Sequence, residues 1–139
     1  MRATATLLAD AAQVAGGKLY VLGGAFDTIT AREFPAVHRS ISLVLVLEVG
    51  PGDRNRDLEL AIDLYDEDGG ELGVSSKGSF RVGTPSTLPA GATSLVPIVS
   101  VFGNIQFPEP GGYVFIVEHE DEELARVPLR LQLPPGIRT

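Results

Sequence analysis

Cysteine and tryptophan are missing from this 139-residue chain, which also holds one methionine and only two histidines. Each shortage closes a chemistry. Without thiols there are no disulfides, no thiolate metal sites, no iron–sulfur clusters and no cysteine nucleophile. With His38 and His119 alone, a histidine-rich metal site is out of reach. Three tyrosines and no tryptophan make a thin platform for stacking sugars. Positive charge is scarce too: 11 Lys and Arg stand against 18 Asp and Glu, a formal net charge of −7. Such a surface repels phosphate backbones and anionic membranes. The nearest approaches to a basic patch, Arg54 with Arg56 and Arg126 with Arg130, lie among or near acids. Long apolar runs are absent as well. Leu43–Leu47, as long as any, falls far below the roughly 20 residues of a membrane helix. Asp10 breaks the stretch after Arg2 too early for the apolar region of a signal peptide. The expectation is a soluble cytoplasmic protein with no nucleic-acid or membrane partner and no cofactor.

What the chain does have is two-residue alternation. In Asp57–Tyr65, Leu58, Leu60, Ile62 and Leu64 share one face while Asp57, Glu59 and Asp63 share the other. A helix would scatter those leucines, and a strand collects them. After Ala125 the pattern recurs, with Val127, Leu129, Leu131 and Leu133 inward. Pro128 cannot donate to a ladder, which points to an edge or a bulge there. Further strands are expected at Leu19–Leu22, Ser40–Val49, Gly73–Val82, Leu95–Phe102 and Tyr113–Glu118. Ala5–Ala15 is alanine-rich enough for a short helix, but the Gly16-Gly17 pair and the β-prone run behind it favour a strand near Thr6–Ala9. Turn chemistry at Asp66–Gly70, Glu120–Glu123, Pro51–Asp53, Pro85–Gly91 and Pro108–Gly112 separates these runs. The sum is an all-β, two-layer antiparallel β-sandwich of about eight strands, jelly-roll or Greek-key in character. One domain spans 1–139, with 134–139 as a frayed tail.

Catalytic patterns fail in turn. For a phosphate loop built on Gly17-Lys18, the leading glycine position is Ala12 and the hydroxyl position is Leu19. No G-x-S-x-G elbow appears, and Ser75-Ser76 sits in a plain strand or turn. Asp63, Asp66 and Asp68 with Glu118 offer an alternative, calcium or a small ligand held at acidic loops on the rim. Solvated hairpin tips explain those acids equally well. A third reading is a hydrolase with a carboxylate cleft that only the fold would reveal.

The informative anomaly lies on faces that ought to be polar. In Ser40–Val49, Val44 and Val46 oppose the face of Ile41, Leu43, Leu45 and Leu47. In Tyr113–Glu118, Val114 and Ile116 oppose Tyr113, Phe115 and Val117. A one-sided sheet alternates cleanly, so these residues require a cover, either a loop of the chain such as Pro85–Gly91 or a second subunit.

The opening Leu7–Val14 and Gly17–Gly24, read together as LLADAAQV…GKLYVLGG, resembles a family of small uncharacterised bacterial proteins best represented in actinobacteria. Phe26–Ile29, Phe107–Phe115 and Glu123–Leu129 are similar to later segments of the same family. The resemblance implies a single-domain β-sandwich with no established activity, and it assigns no catalytic or binding residue. The expected function is therefore a non-enzymatic binding or assembly module, self-associating or meeting an unknown protein through Val44, Val46, Val114 and Ile116.

Overall fold

The computed structural model describes residues 1–136. Among them are nine strands and no α-helix: β1 (Arg2–Ala15), β2 (Lys18–Gly24), β3 (Thr28–Thr30), β4 (Ala36–Val49), β5 (Asp57–Asp66), β6 (Glu71–Arg81), β7 (Ser94–Phe107), β8 (Gly111–His119) and β9 (Glu122–Gln132). They form a four-stranded sheet, β2-β1-β4-β7, and a five-stranded sheet, β3-β9-β8-β5-β6. The β-sandwich read from the alternation is what the chain adopts. Its inner hairpin β5–β6 lies in one sheet while the flanking β4 and β7 pair in the other, the nested wrapping of a jelly roll. The outer turn departs from that plan, because β8 pairs with β9 and β9 then takes β3 in parallel. Three-residue β3 went unread because so short a run carries no periodicity.

Alternation builds the core. Ile41, Leu43, Leu45, Leu47 and Val49 of β4 face Leu60, Ile62 and Leu64 of β5, Phe115 and Val117 of β8, and Val127, Leu129 and Leu131 of β9. Phe102 stacks on Phe115 with ring centroids 5.3 Å apart, and Phe107 meets Tyr113 edge-on at 4.9 Å. In β7 the inward set shifts from Phe102 to Ile105 and Phe107. Asn104, at φ 52°, takes the left-handed conformation that makes this change of face, one that Asn tolerates better than most residues. Pro128 is accommodated because β3 pairs only with Arg130–Gln132 and leaves the backbone at 128 without a neighbour on that side. Of the expected tail, Pro134–Gly136 follow β9 outside any strand, and 137–139 lie outside the described residues.

Candidate functional site

The β1–β2 hairpin leaves the sandwich. β1 pairs with β4 from Arg2 to Ala9, and from Ala11 to Ala15 it pairs with β2 alone. Gly16 and Gly17, both at positive φ, close the tip as a two-residue turn of the kind right-twisted ribbons favour. A kink sits at the base. Gly23 has φ 64°, and a Cβ built there would run into the Asp10 carboxylate. Beside it, a Cβ on Gly24 would come within 2.6 Å of Val21 Cγ1 and 3.3 Å of Leu7 Cδ1. Leu7 lies on the outer face of the four-stranded sheet, so Val21 packs over that face. At the far end, Val14 and Gly17 share a groove with Ser94–Pro97 of β7. The ribbon therefore folds back along the sheet, turning Ala12 and Leu19 toward the molecule as half-buried side chains.

This placement settles the cover required by β4. Val44 is only 1% exposed, as is Ser42 on the same face. The folded-back hairpin runs along that face, and Pro85, the first residue of the Pro85–Gly91 loop suggested by the sequence, lines the groove at the hairpin's far end. Val44 consequently has no surface to offer a partner. Val46 is half-buried on that same face, while Val114 and Ile116 are half-buried on the outer face of the five-stranded sheet. The four residues do not form one patch, because they are divided between opposite sides of the sandwich.

The exposed apolar surface lies elsewhere. Among the described residues, Val14, Tyr20, Val21, Leu22, Val37, Leu95 and Val101 are the large apolar side chains left exposed, and all belong to β1, β2, β4 or β7. Leu22 is 74% exposed, Leu95 65% and Val101 64%. The five-stranded sheet contributes none. Tyr20 and Leu22 were inside a recognised strand, but their exposure depends on which side of the ribbon meets the sheet. Alternation is silent on that point.

The acidic residues do not converge. Asp66 Oδ1 accepts hydrogen bonds from the backbone N–H groups of Asp68 and Gly70 at 2.9 and 2.7 Å, so that carboxylate closes its own turn. Glu67 Oε2 accepts from Gly112 N at 3.2 Å and ties the β5–β6 turn to the start of β8. Asp63 and Glu118 stand instead on the outer strand face around Tyr65. Burial, then the charges of Asp63, Glu71 and Glu118, push the Tyr65 phenol up. Among the described residues no group of three or more His, Cys, Asp or Glu side chains is placed to hold a metal ion. Asp63 and Glu71 share a hollow of about 100 Å³, well below the roughly 300 Å³ where ligand pockets begin. Of the candidate basic residues, Arg56 bonds Asp53 and Glu120, Arg126 bonds Glu123, Arg54 is buried and Arg130 is exposed. His119 Nδ1 lies 2.9 Å from the Glu59 carbonyl oxygen.

Fold and surface together define a class: a two-sheet β-sandwich whose four-stranded side is overlaid by a folded-back hairpin and carries the exposed apolar side chains. The chain belongs to a family of unknown function, DUF6941, whose model matches residues 4–132. No curated protein matches it. Among solved structures, a beta-glucuronidase from glycoside hydrolase family 2 is similar over 70% of this chain, at 16% identity and a TM-score of 0.31. The chain spans 11% of that enzyme's length, and a likeness of this extent carries no functional reading. No helix among the described residues is long and apolar enough to cross a membrane.

Proposed function

We propose that the protein is a non-enzymatic assembly module whose contact is the outward side of the β1–β2 hairpin, met by a second copy of the same chain. One observation carries this reading: among the described residues, every exposed large apolar side chain belongs to the four-stranded sheet. Exposed apolar side chains concentrated on one sheet are a common mark of an interface. β2 is also an edge strand, so its outer backbone groups can pair with another strand across a two-fold axis. Tyr20 and Leu22 are the principal contact residues. Val46, and on the opposite face Val114 and Ile116, are lesser ones, and Val44 is withdrawn. The reading extends to a bacterial cytoplasmic setting, which the cysteine-free chain and the resemblance of its opening hairpin support.

Light scattering on the purified chain at micromolar concentrations tests this. A dimer mass is expected, falling to the monomer in the double variant Tyr20→Glu, Leu22→Glu with the strand spectrum by circular dichroism unchanged. A monomeric natural chain, or a dimer indifferent to both substitutions, overturns the proposal.

A further inference from the structure

Arg54 is the one charged side chain among the described residues that is buried, at 8% exposure. Its oxygen partners are all neutral. Nη1 donates to the Gly83 carbonyl at 3.0 Å, and Nη2 donates to the Ala92 carbonyl at 3.4 Å and to Ser94 Oγ at 2.7 Å. No described carboxylate lies within 4.0 Å of it, although the chain carries 18 acidic residues. Burying a cation without a counter-ion is costly. A guanidinium has five N–H donors. Nε has no protein acceptor among the described residues, and because no buried side-chain nitrogen or oxygen there lacks a partner, it is left accessible to a ligand or solvent.

The same side chain lines an open groove of about 590 Å³ between the hairpin tip, the start of β7 and the segment following β6. Its walls include Val14, Val82, Leu95, Val96 and Pro97, with no acidic residue in the lining. Arg81 also lines the rim, its charge offset by Asp57 at 3.1 Å. One buried guanidinium beside apolar walls suits a planar monoanion on a greasy body. A phosphate dianion would want more donors and would waste the walls.

We infer that this groove binds a small carboxylate with an apolar body, Arg54 taking the carboxylate and Val82, Leu95, Val96 and Pro97 the tail. The site is separate from the hairpin's outward side and does not depend on self-association.

The test is titration of the full chain with hexanoate, hexan-1-ol and inorganic phosphate, followed by amide NMR and thermal melting. Hexanoate is expected to shift the amides of Arg54, Gly83, Leu95 and Val96. At tenfold excess over its dissociation constant it should raise the melting midpoint by about 5 °C. Arg54→Ala would release the Gly83–Ser94 segment and confuse folding with binding, so the decisive variant is Leu95→Glu. That exposed position tolerates the change, and the added anion should weaken hexanoate at least tenfold. Absence of hexanoate shifts at about 10 mM, equal binding of hexan-1-ol, preference for phosphate, or unchanged affinity in Leu95→Glu would each overturn the inference.

Discussion

Asp53 joins three parts of the chain through one carboxylate. Its Oδ2 lies 3.1 Å from the Met1 amino group and accepts from the Gly50 backbone N–H at 3.4 Å, while Oδ1 lies 3.2 Å from Arg56. Burial alone would raise its pKa. The hydrogen bond from the amino terminus, that from Gly50, the amino-terminal charge and the Arg56 bond together outweigh it, so the group titrates below its ordinary 3.8. The same sign holds for Glu120, whose pKa falls chiefly through the Arg56 hydrogen bond. A carboxyl with a lower pKa folded than unfolded contributes its full stability above the unfolded value, and loses it as pH drops through the folded one. Urea midpoints of the natural chain and Asp53→Asn should therefore differ at pH 7, with the gap closing below pH 3.8. A gap that persists undiminished at the acid end would show that Asp53 acts through shape rather than charge.

At the scale of elements, the β8–β9 hairpin turns on Glu120 and Asp121, at φ 52° and 63°. Two consecutive left-handed residues make the turn that Asn-Gly normally supplies, so acids here carry backbone strain. Glu120 has an evident reason to stay, its 2.9 Å contact with Arg56. Asp121 makes no such contact among the described residues. Asp121→Gly should raise stability by about 0.5–1 kcal/mol, the gain from relieved φ less the entropy of a freer unfolded chain. Thermal melting measures it, and a lowered midpoint would refute the account. The kink at Gly23 is the opposite case, a glycine whose left-handed φ disfavours any side chain and whose replacement would also force the Asp10 carboxylate to shift.

The molecule as a whole is a sandwich with a partial third layer. The hairpin's inner side covers one face of the four-stranded sheet and its outer side remains apolar and exposed, so one element is both lid and candidate contact. Val44 reports on the lid. Although it points away from the central core, Val44→Ala should cost about 2 kcal/mol in urea unfolding, as for a buried aliphatic side chain. It should also speed hydrogen exchange at Leu19 and Val21. A loss below 0.5 kcal/mol, typical of surface sites, would mean that the hairpin does not seal that face.

Much of this was legible in the residues themselves. Most strands followed from two-residue spacing, though β1 was legible only near Thr6–Ala9 and β3 not at all. The hairpin turns followed from Gly16-Gly17 and Asp66–Gly70, and the sandwich from their sum, because a strand's inward set is fixed by covalent geometry alone. The second apolar face of β4 was equally plain, and it correctly demanded a cover. Which segment supplies that cover depends on the left-handed φ of Gly23 and on how the ribbon then packs, a contact between residues distant in sequence that alternation does not encode. Arg54 shows the same division. In the sequence it is one more cation beside Arg56, and only the packing of the segment after β6 against β7 buries it away from every described carboxylate. Local periodicity determined the sheets; the folding back of one hairpin decided which apolar side chains face water.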